Sequence, residues 1–249
     1  MKRGQVTIFI IIGILLVAVV GILLYVYNEN VRTSLGGERE SGFDSSEIAP
    51  LQEFIDTCIA STVEADVESL ISNAGFFQEA SYLTFYQDDF VNYLIFDTEE
   101  SGAPNRANSV SFLQSSVSDN VKTKLIDDCS LDDFDFITSL DIEEIEVTTK
   151  IGDLSVISSV VFPITLGKGE SEVELNEFSN VVESNFGRLY QVALDIVDLE
   201  VSNEFNFADF SVQNNDVGIN KDNEYQEVSI YTLYLNEEVL RFAVYRGEE

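Results

Sequence analysis

The feature that most constrains this chain is an uncharged run near its start, residues 4–28. At a rise of about 1.5 Å per residue, a helix of this length reaches about 37 Å, which is enough to cross a bilayer core. Lys2 and Arg3 precede the run and Glu29 follows it, so the positive-inside bias predicts a cytoplasmic N-terminus and an extracellular bulk. The sequence therefore predicts a single-pass protein of the cell membrane, with a signal or transmembrane helix at 1–29.

The junction in front of this run carries a resemblance. Lys2-Arg3-Gly4-Gln5, directly followed by an apolar helix, resembles the class III signal of archaeal type IV pilin-like proteins. The resemblance implies that a prepilin-type peptidase cuts between Gly4 and Gln5, after which the helix stays in the membrane or packs with copies of itself in a surface filament. An uncleaved anchor is the alternative. Bacterial type IV pilins carry glutamate at the fifth mature position, which here is Phe9, so the pairing of that carboxylate is not implied.

A second resemblance covers more of the chain. The start at Gly4-Gln5, a cysteine-bearing helix, Phe162-Pro163-Ile164-Thr165 and Gly167-Lys168-Gly169-Glu170 together look like uncharacterised single-pass surface proteins of small-genome archaea. This resemblance implies a location at the cell surface and brings no activity with it.

The charge of the chain excludes several classes of partner. The sequence has 45 acidic and 13 basic residues and no histidine, which gives a formal net charge of −32. Nucleic-acid phosphates and anionic lipid surfaces would be repelled, so neither is expected to bind. A strongly acidic exterior keeps a domain soluble. It also fits a halophilic host, where salt screens the self-repulsion, and both interpretations stay open.

The two cysteines, Cys58 and Cys129, fall on the apolar faces of predicted helices. An exterior location permits a disulfide, which would close a loop of roughly 70 residues. Two buried free thiols are the alternative. Because the chain has no histidine and no second thiol lies near either cysteine, neither is expected to bind a metal.

The remaining sequence divides into a connector and an exterior domain. Glycine and serine residues make 30–46 a flexible connector, and 47–249 follows as one domain or as two subdomains, 47–135 and 136–249. The predicted fold class is α+β, a long N-terminal apolar helix followed by amphipathic helices and an antiparallel β-sheet. Apolar periodicity predicts helices at 47–73, 109–129 and 179–200, and strands at 82–86, 90–96, 142–149, 154–166, 171–175, 224–235 and 239–245.

No catalytic residues and no cofactor are predicted. The absence of histidine from the sequence removes the commonest nucleophile triads and dyads. Gly167-Lys168-Gly169 resembles part of a phosphate loop, but its context is a predicted hairpin turn. A carboxylate-based hydrolase is the enzymatic alternative, because acidic residues are plentiful.

Two further segments have alternative interpretations. The aromatic run at 76–96 either belongs to the core or faces a partner. An acidic stretch that begins at the end of the second exterior helix either binds Ca²⁺ through carboxylate oxygens or forms a solvated turn. It lacks the glycine and terminal glutamate of an EF-hand loop, which favours the turn. The candidate ligands are Asp127, Asp128, Asp132, Asp133 and Asp135.

These observations predict a membrane-anchored, exterior-facing structural or adhesive protein of pilin-like type, without catalytic activity. Membrane lipid or copies of the chain itself, as a homo-oligomer or filament, are the expected partners of the N-terminal helix. The alternative function is a single-pass domain of the cell envelope that binds a ligand or substrate as a receptor.

Overall fold

A computed structural model of the chain describes residues 45–78, 82–97, 105–225 and 228–246. The helices of this part are α1 (Ser45–Ser72), α2 (Val110–Asp127), α3 (Phe186–Val201) and α4 (Phe207–Gln213). The strands are β1 (Leu83–Tyr86), β2 (Asp89–Asp97), β3 (Asn105–Arg106), β4 (Ile137–Leu140), β5 (Glu146–Ile151), β6 (Ser155–Lys168), β7 (Ser171–Glu183), β8 (Gly218–Tyr225), β9 (Val228–Leu235) and β10 (Glu238–Arg246).

The larger sheet has six strands, in the order β1-β2-β10-β9-β8, with β3 also paired to β2. Strands β2 and β10 run parallel, whereas the other neighbours in this sheet run antiparallel. Parallel neighbours need a long crossover connection. Here the elements from β3 to β9, including the entire smaller sheet, lie between the two parallel strands in the chain.

The predicted fold class is wrong in two respects. The sheet that was expected to be antiparallel is mixed, because β2 and β10 pair in parallel. Among the residues that the structure describes, no helix is both long and apolar enough to cross a membrane, so the expected transmembrane helix has no counterpart there. The segment on which that helix was placed, residues 1–29, lies outside the described residues, as does most of the connector at 30–46.

The smaller sheet is built around β6. Strand β7 pairs with β6 along its length, whereas β5 pairs with residues 156–161 and β4 with residues 164–166 of the opposite edge. Between these two halves the register shifts at Phe162 and Pro163. Pro163 has no N–H to donate, and an interruption of the ladder at this point lets one edge of β6 serve two partners.

Several element boundaries differ from the predictions, and the strand expected at 171–175 extends to Glu183 as β7. The helix expected at 179–200 begins at Phe186, because β7 continues to Glu183 with alternating exposed and buried side chains. The strand expected at 224–235 corresponds to β9 and the last two residues of β8, with which β9 pairs antiparallel. Strands β3 and β4 and helix α4 were not predicted; each is too short to show a clear period.

One main core joins the helices to both sheets. Helix α1 contributes an apolar stripe that recurs every three or four residues, and burial of each such side chain stabilises the fold by roughly 1.5–3 kcal/mol. The core takes side chains from both 47–135 and 136–249. The buried stripe of α1 consists of Leu51, Ile55, Ile59, Val63, Val67 and Leu70.

Candidate functional site

The two cysteines are joined by a disulfide that links α1 to the end of α2. Cys58 lies in α1, and Cys129 follows α2, where its N–H donates to the carbonyl of Lys124 over 3.1 Å. Their Cα atoms are 6.4 Å apart, within the usual range for a disulfide. The pair that the sequence predicts is therefore formed, and neither thiol is free.

The contact between α1 and α2 also contains a partly buried carboxyl group. Asp66 of α1 accepts a hydrogen bond on Oδ1 from the Asn120 amide of α2 over 3.2 Å. Its Oδ2 is buried and has no hydrogen-bond partner among the described residues. Burial raises the pKa of Asp66 to about 6, and the Asn120 hydrogen bond and the Lys124 charge offset only part of that rise.

We expect Asp66→Asn to stabilise the protein above pH 6. The pKa of Asp66 is raised on folding, so between about pH 4 and pH 6 the folded state keeps a proton that the unfolded state releases, and stability falls as pH rises through this window. The shift corresponds to about 3 kcal/mol, which we discount to about 1–2 kcal/mol because the group is partly exposed. Urea unfolding at several pH values measures this gain, which should vanish below pH 4.

A matched control is Asp119→Asn, which removes the same charge from an exposed position on α2. This variant should unfold like the wild type at each pH. Equal stability of the wild type and Asp66→Asn at pH 7 would contradict the proposed cost of the buried carboxylate.

The acidic stretch after α2 does not form a ligand set. Among the described residues, no group of three or more Asp, Glu, Cys or His side chains is arranged to hold a metal ion. Asp128 pairs with Lys124 one helical turn earlier, and Asp132 accepts a hydrogen bond from Ser130 over 2.8 Å. Asp127, Asp128, Asp132, Asp133 and Asp135 are exposed, as expected for a solvated turn.

The aromatic run and the glycine-rich turn both make contacts within the fold. Tyr86 and Tyr93 are buried in a small second core on the larger sheet. Phe85 and Phe90 are exposed and contact each other across the β1–β2 hairpin, with ring centroids 5.6 Å apart. Lys168, in the β6–β7 hairpin, pairs with Glu47 of α1 over 2.6 Å.

An open groove follows one flank of α1, and we call it the acidic groove. One half, of about 520 Å³, lies between α1 and Asn180 of β7, and the other half, of about 400 Å³, is bordered by the start of β10; the two halves share Glu64. No lysine or arginine lines either half. The half beside β10 has an apolar floor, and the carboxylates of the two halves are Glu53, Asp56, Glu64, Glu68, Glu183 and Glu238.

One carboxyl group of the groove, that of Asp56, has a shifted pKa. Desolvation by burial raises the pKa of Asp56 above its ordinary value. The carboxylates of the groove come from three separate elements, α1, β7 and β10. The groove therefore concentrates negative potential over an apolar floor formed by Val67, Ile71, Val182 and Val239.

The two outer edges of the smaller sheet differ in whether other elements hydrogen-bond to their backbone. On the β5 edge, side chains of α2 satisfy the strand backbone. Ser118 accepts from the Thr149 N–H over 2.9 Å, and Lys122 donates to the Ile145 carbonyl just before β5 over 2.6 Å. On the β7 edge, no strand other than β6 pairs with β7 in the part of the chain that the structure describes. The fold thus covers one edge and leaves the other beside the acidic groove.

A buried ion pair that the sequence did not predict lies under the larger sheet. Glu200, near the end of α3, is 2% exposed and accepts hydrogen bonds from Lys221 of β8, over 2.7 Å, and from the hydroxyl of Tyr231. The Lys221 ammonium lies 5.2 Å from the ring centroids of both Phe205 and Tyr231. The sequence did carry a signal for the burial of Glu200, because Glu200 lies four residues after Ile196 and so continues the buried stripe of α3.

Comparison of this chain with protein-family models, with curated proteins and with solved structures finds no match. The residues that carry the resemblance to archaeal pilin-like proteins, including Gly4 and Gln5, lie outside the described residues. The function is therefore inferred from the chemistry of the chain itself.

Proposed function

We propose that this chain is a structural or adhesive protein that works outside the cytoplasm. The observation that supports this most is the disulfide between Cys58 and Cys129, because cytoplasmic thiols are normally kept reduced. The net charge of −32 gives such a domain a strongly hydrated surface that resists non-specific association.

The position of the disulfide also suits a protein that transmits load. A force applied through the N-terminal residues enters the described part of the chain at α1. Cys58 lies in the first half of α1, so the disulfide passes the force directly to Cys129. The chain between the two cysteines, which are 71 positions apart, cannot extend while the bond holds.

A ligand-binding receptor domain of the cell envelope is a second candidate, and the acidic groove favours it. A concave site that is lined by several carboxylates and has an apolar floor in one half would select a cationic ligand. This candidate requires the same exterior location.

Protease treatment of intact host cells tests the location. We expect the chain to be degraded while an internal cytoplasmic protein survives, and we expect it to migrate as a disulfide-bonded species on non-reducing gels. Survival of the chain, together with free thiols that alkylate without reductant, would overturn the proposal. Electron microscopy of material sheared from the cells separates a filament from individual surface molecules.

The predicted cleavage between Gly4 and Gln5 is tested by the intact mass of the purified protein. We expect a mature chain that begins at Gln5 if a prepilin-type peptidase processes it. A mass that includes Met1, Lys2 and Arg3 would exclude such processing and leave the exterior location as a separate question.

A further inference from the structure

We propose that the outer edge of β7 and the acidic groove together form a docking site for a lysine- or arginine-rich polypeptide segment in extended conformation. The segment would add to the smaller sheet as a further strand, next to β7 and beneath the flank of α1. This inference rests on the geometry of the described residues and holds wherever the domain resides.

The first step concerns the edge itself. Strand β7 has 13 residues, a long strand to leave at a sheet edge. In the described part of the chain, the backbone of β7 pairs only with β6, so its outward N–H and C=O groups are available to another strand. The β5 edge of the same sheet is instead closed by Ser118 and Lys122 of α2.

The second step concerns the position of the groove. Asn180 of β7 donates from its amide to the Asp56 carbonyl of α1, at 3.5 Å, so α1 lies directly over β7. The groove continues along the flank of α1 from Ala49 to Ser72. This length is about 35 Å at a helical rise of about 1.5 Å per residue, and an extended segment of about ten residues spans it.

The third step identifies the chemistry of the occupant. Alternate side chains of an added strand point to opposite faces, and one set would meet the carboxylates that α1 presents, such as Glu64 and Glu68. No lysine or arginine lines the groove, so a cationic segment finds complementary charge without a competitor. A second copy of this chain would bring a net charge of −32 and would be repelled.

The fourth step concerns the apolar floor. Val67, Ile71 and Val182 line one half of the groove together with its carboxylates, and Val239, at the start of β10, is 40% exposed. Small apolar side chains of the segment would cover this surface. Backbone hydrogen bonds would then supply affinity, and the alternation of basic and apolar residues would supply selectivity.

The probe that tests the proposal is an acetylated ten-residue peptide of alternating lysine and valine. We expect it to bind the full chain, and to slow amide exchange within β7. Its N-methylated counterpart has the same charge but cannot donate backbone hydrogen bonds, and it should not bind. Equal binding of the two peptides would show charge attraction alone and would overturn the proposal, as would no binding at about 1 mM peptide.

Matched variants of the protein locate the site. Glu64→Gln with Glu68→Gln removes two exposed carboxylates of the groove, and Glu143→Gln with Glu144→Gln removes two exposed carboxylates from the turn before β5. We expect the first pair to weaken peptide binding about fivefold or more, from the usual strength of surface ion pairs, and the second pair to leave it unchanged. Equal weakening by both pairs, or by neither, would overturn the proposed site.

Discussion

Replacing Cys58 and Cys129 together by alanine is expected to lower the free energy of unfolding by about 4 kcal/mol. The disulfide closes a loop with a sequence separation of 71, and in the chain-entropy model its loss releases a corresponding freedom of the unfolded chain. The bond joins the first described helix to the end of α2, so it also limits local opening between these helices. Guanidinium unfolding of the oxidised wild type and the double variant measures the difference.

Reductant provides the control for this comparison. It should bring the wild type down to the level of the double variant and leave the double variant unchanged. The dependence of the unfolding free energy on denaturant should become steeper without the bond, because the unfolded chain is then less compact. Identical unfolding midpoints for the oxidised and reduced wild type would contradict the stabilising role of the disulfide.

The parts of the fold that could be predicted have strong local signals. The stripe of α1 repeats at helical spacing over about five turns, from Leu51 to Leu70, so the helix expected at 47–73 corresponds to Ser45–Ser72. The β6–β7 hairpin was visible from its glycine-containing turn and the alternating residues on both sides. With only two cysteines in the chain, just one intramolecular pairing was possible.

The parallel pairing of β2 with β10 could not be predicted, because it depends on contacts between segments far apart in the chain. The boundary between β7 and α3 was missed for a different reason. Val182 and Phe186 are four residues apart and fit a helical stripe, and only the exposure of Val181 reveals the strand period. Tertiary packing determines that this segment is a strand and not the start of the helix.

The acidic groove was also beyond local reasoning. Its carboxylates come from α1, β7 and β10, and 45 acidic residues in the chain make any single one uninformative. The covered β5 edge depends on Ser118 and Lys122, whose positions on α2 reveal no edge until the helix is placed beside the strand. The site exists only once the fold has brought these separate elements together.

The second large effect on the free energy of unfolding is expected from the buried ion pair between Glu200 and Lys221. Lys221→Met is expected to lower the free energy of unfolding by about 3–5 kcal/mol, because the buried carboxyl group of Glu200 would lose the ammonium group of Lys221. Urea unfolding compares this variant with Lys150→Met, which removes a lysine from an exposed position of β5 and should change stability by less than about 0.5 kcal/mol.

The double variant Glu200→Gln with Lys221→Met shows whether the lost stability comes from the buried carboxyl group of Glu200. Glutamine is neutral and keeps an oxygen that can accept the hydroxyl of Tyr231, so most of the lost stability should return. A double variant as unstable as Lys221→Met alone would mean that the lysine stabilises the core by packing against Phe205 and Tyr231. Recovery would instead mean that a neutral core is nearly as stable, and that the ion pair mainly fixes where β8 lies against α3.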